Sequence, residues 1–129
     1  MGAKDPQFFC SEYDYDEDYA EKAMTKNLDT VTKYDDSFKI LLSHRPEHME
    51  LYRKYDIRLA LTGHAHGGQF GIPFTDLGVY VPNQGVFPRY AAGMKQLDDT
   101  TMIISRGIGN SVFPFRLFNR PEVVSITFE

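Results

Sequence analysis

Three of the four histidines in this 129-residue chain follow apolar segments of strand length. His64 and His66 lie two positions apart in the run Gly63-His64-Ala65-His66-Gly67-Gly68, and His44 follows Leu41-Leu42-Ser43. Neutral imidazole is the commonest metal ligand among side chains, and glycine lets the backbone approach an ion or a phosphate closely. The spacing favours a metal site built from His44, His64 and His66, although a His-x-His pair in a turn can equally bind backbone or water.

Two predicted strands position these histidines. Residues 38–43 and 57–62 are mainly apolar runs of strand length, and a helix is predicted between them over 47–54. A strand, a helix and a second strand form a parallel crossover unit, in which ligands bind at the carboxyl ends of the strands. We therefore expect His44 and His64 to lie side by side at one edge of a sheet.

The rest of the chain predicts a first helix and two further strands. Asp14 or Asp16 is expected to cap the helix, whose apolar residues recur at helical spacing: Ala20, Ala23, Met24, Leu28 and Val31. Residues 101–105 predict a strand, and 123–128 alternate between apolar and polar residues as a terminal strand does. The glycines and prolines between 71 and 93 predict turns, long loops and short strands.

Composition bounds the class of protein. Hydrophobic residues make up 42% and charged residues 25% of the chain, which is typical of a soluble globular domain, and the length fits one domain. The net charge of −4 gives no general attraction for nucleic acid, so phosphate chemistry would need local metals or arginines. The single cysteine, Cys10, excludes an internal disulfide and a cysteine-based zinc cluster.

The histidine segments are also recognisable as motifs. Residues 41–47, Leu-Leu-Ser-His-Arg-Pro-Glu, and 61–69, Leu-Thr-Gly-His-Ala-His-Gly-Gly-Gln, closely resemble the last two motifs of the calcineurin-like metallophosphoesterases. The tail resembles the ending of a bacterial branch of that family, the predicted phosphohydrolases. It contains residues 105–111, Ser-Arg-Gly-Ile-Gly-Asn-Ser, and then Pro114, Arg116 and 119–123, Asn-Arg-Pro-Glu-Val.

The resemblance implies a fold and an activity. The implied fold is α/β, the C-terminal half of a four-layer α-β-β-α sandwich. It also implies that His44 and His64 bind one divalent ion and His66 a second, with Mn, Fe or Zn as the metal. Two such ions activate a water that attacks a phosphorylated substrate. The implied activity is therefore metal-dependent phosphoester hydrolysis.

Three motifs of that family are absent from this sequence: Asp-x-His, Gly-Asp-x-x-Asp and Gly-Asn-His-Asp/Glu. In the family they supply a bridging aspartate, further ligands and a catalytic histidine, so no catalytic residue is assigned here. Three neutral ligands would leave two dications repelling each other, and at most one ion is expected on this chain alone. We therefore expect one partial domain over 1–129, inactive by itself and completed by an N-terminal half or another chain.

Two residues beside the histidines are expected to support the site. Arg45 could bind substrate phosphate as a bidentate donor, and because it adjoins His44 it is favoured over three other arginines, Arg89, Arg106 and Arg116. Gln69 could support the metal site through a hydrogen bond, or could serve only the turn. Asn119 lies in a turn-prone segment and is expected to serve backbone geometry.

Two other classes of function remain open on the sequence. A non-catalytic remnant or interaction domain would keep the half-fold with an exposed apolar face, and is expected to form homo-oligomers. A mononuclear module would use His44, His64 and His66 alone to bind one zinc or nickel ion. No nucleic-acid partner is expected. No apolar stretch is long enough to span a membrane, although the family includes membrane-anchored and exported members.

Overall fold

The computed structural model describes residues 2–3, 16–33, 37–81, 84–110 and 115–129. Two helices and six strands follow one another along these ranges. They are α1 (Glu17–Thr32), β1 (Ile40–Leu42), α2 (Met49–Lys54), β2 (Leu59–Thr62), β3 (Tyr80–Val81), β4 (Gly85–Val86), β5 (Gly93–Leu97) and β6 (Thr100–Ile104). Short 3-10 turns occupy Pro46–His48 and His66–Gly68.

The main sheet has four strands in the order β1-β2-β6-β5. The strands β1, β2 and β6 run parallel, while β5 pairs antiparallel with β6. The strands β3 and β4 form a separate antiparallel pair. The fold is therefore mixed α/β with a largely parallel sheet, which agrees with the predicted α/β class, while the four-layer sandwich stays a prediction.

The predicted crossover unit is confirmed. Leu41 of β1 is in register with Ala60 of β2, and the chain between them passes through the 3-10 turn and α2. Pro46 begins that turn, where its missing N–H leaves no hydrogen bond unmade. Met49 and Tyr52, three positions apart on one face of α2, are both buried.

The first helix begins where the sequence predicts. Asp16 is its cap, and its Oδ1 accepts a hydrogen bond from the Asp18 amide at 3.0 Å. Ala20, Met24 and Leu28 are buried at helical spacing. Asp14, the alternative cap, lies outside the described residues.

The sheet has one covered face and one partly open face. Leu41, Ala60 and Met102 are in register across β1, β2 and β6, and they belong to one buried cluster with residues of both helices. The adjacent register row carries apolar side chains that point the other way: Leu42, Leu61, Ile103 and Met94. Leu42 and Met94, at the two ends of this row, are exposed.

Two strand predictions need correction. The predicted terminal strand over 123–128 is wrong, because no strand forms there and none of the described strands pairs with it. Conversely, β5 was not predicted, since its Lys95 and Gln96 interrupt the apolar pattern. Within the described ranges, neither helix combines the length and the apolar character needed to cross a membrane.

Candidate metal centre

The carboxyl ends of β1, β2 and β6 meet at one edge of the sheet. Backbone pairing continues past the strands, because the Ser43 amide donates to the Leu61 carbonyl at 3.0 Å and the His64 amide donates to the His44 carbonyl at 3.0 Å. The Ser105 amide, just after β6, donates to the Thr62 carbonyl at 2.9 Å. As predicted, His44 and His64 therefore lie side by side.

The imidazoles of His44 and His64 face each other through nitrogen atoms. His64 Nδ1 lies 3.2 Å from His44 Nε2, and the ring centroids are 4.9 Å apart at an interplanar angle of 66°. Two nitrogens bound to one tetrahedral ion through bonds of about 2.05 Å would be separated by about 3.3 Å. The pair therefore fits two ligands of a single divalent ion.

Arg45 contacts this pair from the protein interior. Its side chain is fully buried, and Nη1 lies 3.0 Å from His64 Nε2 and 3.4 Å from Glu47 Oε1. An arginine only donates, so His64 Nε2 accepts, and a neutral His64 ring then carries its proton on Nδ1. That proton is directed at His44 Nε2, which fixes the orientation of both rings.

Two buried hydroxyl groups hold the backbone at Arg45. The Tyr52 hydroxyl donates to the Arg45 carbonyl and also lies 2.7 Å from Ser43 Oγ. Tyr52 was not singled out from the sequence, although its spacing from Met49 places it on the buried face of α2. The guanidinium of Arg45 faces Glu47 and His64, and its predicted role in phosphate binding stays a prediction.

The loop after β2 has an unusual backbone. His66, Gly67, Gly68 and Gln69 have φ values of 46°, 69°, 71° and 54°, a left-handed region that residues with a side chain rarely adopt. A Cβ on Gly68 would come within 2.5 Å of the Gly78 Cα, so only glycine allows these two backbones to touch. The sequence Gly67-Gly68 therefore fits a loop that turns sharply while carrying His66.

His66 has a different set of neighbours. Its Nδ1 lies 3.4 Å from Arg116 Nη2, and Arg116 is itself held by the carbonyls of Arg106 at 2.9 Å, Gly107 at 3.3 Å and Gly109. Burial lowers the pKa of His66, the charges of Arg116 and His44 lower it further, and a hydrogen bond with the Arg106 backbone opposes them. The ring is thereby kept neutral, which is the form that binds metal.

The structure brings together two of the three predicted histidines. His44 and His64 converge, whereas His66 turns to Arg116. In the part of the chain that the structure describes, no group of three or more His, Cys, Asp or Glu side chains is placed to hold an ion. Arg106, one of the other candidate arginines, forms an ion pair with Asp76, whose Oδ1 lies 2.6 Å from Arg106 Nη2.

Two polar residues connect the tail to the His66 loop. Asn119 Nδ2 donates to the carbonyls of His66 at 2.6 Å and Gln69 at 3.3 Å. The contact of Asn119 agrees with its predicted role in backbone geometry, but the partner loop lies 53 positions away along the chain. The predicted supporting role of the Gln69 side chain stays a prediction.

Comparison with known proteins identifies relatives of this chain. It is 35% identical over 101 residues to the uncharacterized metallophosphoesterase YkuE of Bacillus subtilis, a match that covers 78% of this chain and 34% of that protein. It is 33% identical over 88 residues to the phosphodiesterase YaeI of Escherichia coli, covering 68% of this chain and 31% of that protein. An uncharacterized metallophosphoesterase of Aquifex aeolicus is 32% identical over 110 residues, with coverages of 84% and 38%.

The matched region is a limited part of these relatives. The chain spans about a third of the length of the curated proteins that it matches, in their C-terminal portion. No protein-family model matches the chain, and no solved structure resembles it significantly.

Proposed function

Because this chain belongs to the metallophosphoesterase family and matches the C-terminal portion of its relatives, we propose that it forms part of a metal-dependent phosphoester hydrolase. The observation that carries the proposal is the pair formed by His44 Nε2 and His64 Nδ1, 3.2 Å apart at the ends of two parallel strands. Such a separation suits two ligands that share one divalent ion.

In this proposal, His44 and His64 hold one ion and His66 contributes to a second. The neutral state of His66, favoured by its lowered pKa, supports a ligand role, and the contact of its ring with Arg116, outside the His44–His64 contact, supports a distinct position. Coordination through His64 Nδ1 moves the ring proton to Nε2. With a proton on Nε2, His64 could no longer accept from Arg45 Nη1, and Glu47, 3.4 Å from the same Nη1, would remain as the partner of the guanidinium.

The chain's own residues give the site a positive field for a phosphorylated substrate. Arg45 and Arg116 each lie within 3.4 Å of a proposed ligand ring. A bound divalent ion would neutralise phosphate charge and lower the pKa of a water molecule. In the metal-free chain, Arg45 orients the ring of His64 and Arg116 orients the ring of His66.

We further propose that the four-stranded sheet is one half of an α-β-β-α sandwich. The apolar row Leu42, Leu61, Ile103 and Met94 lies on the partly open face, and a second sheet would cover it. Sheets that pack face to face bury such rows between them. The covering sheet, in the rest of a longer protein or in another chain, would also supply the carboxylate ligands that are lacking among the described residues.

A chimeric protein tests this function. The N-terminal two thirds of the Bacillus subtilis relative would be joined to this chain, and hydrolysis of bis(p-nitrophenyl) phosphate would be measured with and without Mn²⁺. We expect hydrolysis that requires the ion and is lost in His64→Ala and His66→Ala. His48→Gln is the matched control, because His48 lies on the turn before α2 and belongs to no proposed ligand pair. Hydrolysis that survives both ligand substitutions would contradict the proposal.

A further inference from the structure

The Asn119 side chain lies directly against the His66 loop. It is only 3% exposed, and its amide group donates to two carbonyls of that loop, His66 at 2.6 Å and Gln69 at 3.3 Å. Its Oδ1 would lie 2.4 Å from a Cβ on Gly67. The side chain therefore bridges the carbonyls of His66 and Gln69, and its Oδ1 leaves no room for a side chain at Gly67.

The loop needs an external support of this kind. His66 and Gln69 both adopt left-handed backbone conformations, which are unfavourable unless the surroundings hold them. Inside the loop, the Gly68 amide donates to the Ala65 carbonyl at 2.7 Å, but this bond leaves the carbonyls of His66 and Gln69 to other donors. A primary amide carries two N–H groups, so one asparagine can serve both carbonyls.

The segment before Asn119 is anchored to the same loop through its backbone. The Leu117 amide donates to the Gln69 carbonyl at 3.3 Å, and the Gly71 amide donates to the Leu117 carbonyl at 2.9 Å. Phe70 and Leu117 form a parallel bridge. This local strand-like pairing therefore holds the side-chain amide of Asn119 at a fixed distance from His66.

We propose that Asn119 is a positioning residue for His66: its amide fixes the backbone turn that aims the His66 ring. The inference rests on the proposed metal role of His66 for its functional meaning. The contact itself involves only groups of this chain. A residue that orients a ligand in this way typically contributes a factor of about 10 to 100 to metal affinity.

The experiment compares histidine ring signals in the metal-free chain. Two-bond ¹H–¹⁵N correlation spectra would be recorded for the wild type, Asn119→Leu and Asn119→Asp. The leucine removes the donor without adding charge, and the aspartate keeps the shape but replaces the donor with an acceptor. Asn110→Asp is the matched control, since Asn110 is an exposed asparagine in a loop.

We expect the His66 ring signals to shift and broaden in both Asn119 variants, while the His48 signals stay unchanged. Zn²⁺ titrations of the same samples should give the wild-type affinity, because the single ion expected on this chain is held by His44 and His64. Asn110→Asp should match the wild type in both measurements. If Asn119 were only a structural residue, its substitution would lower the unfolding midpoint but would not selectively change the His66 ring signals of the folded protein.

Two outcomes would overturn the inference. The first is an unchanged His66 spectrum in a folded Asn119 variant. If both variants are unfolded by circular dichroism, Asn119→Ser provides a smaller change without charge or bulk, and loss of folding there too would make Asn119 a fold residue only. If the wild type binds no Zn²⁺, the metal role proposed for this chain fails, whereas the ring spectra still decide whether Asn119 positions His66.

Discussion

Arg45→Met removes a fully buried guanidinium while keeping much of its aliphatic volume. The substitution deletes the hydrogen bond to His64 Nε2 at 3.0 Å and the ion pair with Glu47 at 3.4 Å. A hydrogen bond to a charged group contributes about 1.5–3 kcal/mol, and breaking a buried ion pair costs about 3–5 kcal/mol. Glu47 is 16% exposed and regains some water, so we expect the lower limit, about 3 kcal/mol.

Urea unfolding followed by circular dichroism measures this loss. With a slope of about 1.5 kcal/mol per molar urea, a loss of about 3 kcal/mol lowers the midpoint by about 2 M. Arg58→Met is the matched control. Arg58 pairs with Asp99 at 2.7 Å, but the side chains are 47% and 84% exposed, so solvent screens the pair and the midpoint should fall by less than about 0.3 M. Equal midpoints for the two variants would refute the inference that Arg45 is held by buried partners.

Three further substitutions test the packing and protonation of the site. Gly67→Ala places a Cβ 2.4 Å from Asn119 Oδ1 at a positive φ, and should lower the free energy of unfolding by about 1–3 kcal/mol. Tyr52→Phe removes the hydroxyl that contacts Ser43 and should lower it by about 1–2 kcal/mol, measured by urea unfolding. Burial lowers the pKa of His66 in the folded chain below its usual 6.5. As the pH falls through that value, the unfolded chain therefore binds more protons than the folded chain, and the free energy of unfolding decreases. His66→Gln should therefore lose less stability than the wild type between about pH 7.5 and pH 5.

Each of these changes has a control in the same chain. Gly109→Ala meets open space and should leave the urea midpoint unchanged. Tyr80→Phe alters a half-exposed ring and should have a negligible effect. For the pH series, the wild-type protein measured over the same range is the reference. A Gly67→Ala midpoint equal to that of Gly109→Ala, or identical pH profiles for His66→Gln and the wild type, would contradict the geometry described for the loop.

The crossover unit could be predicted because the apolar pattern of its two strands matches their buried position in the parallel sheet. Residues 38–43 and 57–62 are apolar enough for strands buried in a parallel sheet, and each leads directly into a histidine. The rule that parallel strands present ligands at their carboxyl ends then placed His44 beside His64 correctly. The ring contact at 3.2 Å follows from the strand register.

The features that the sequence did not predict depend on distant partners. The strand β5 forms because it pairs with β6, even though Lys95 and Gln96 lack strand preference. Residues 123–128 alternate as a strand would, but none of the described strands pairs with them. The burial of Arg45 and the contact of Asn119 with His66 likewise depend on residues far away along the chain, which periodicity cannot reveal.

Co²⁺ titration of the chain, followed by visible absorption, tests the central claim that His44 and His64 share one divalent ion. We expect one weakly bound ion per chain, with affinity reduced at least tenfold in both His44→Ala and His64→Ala and unchanged in His48→Gln. Binding that is equally strong in all three variants, or a wild-type chain that binds no ion at millimolar Co²⁺, would contradict the claim.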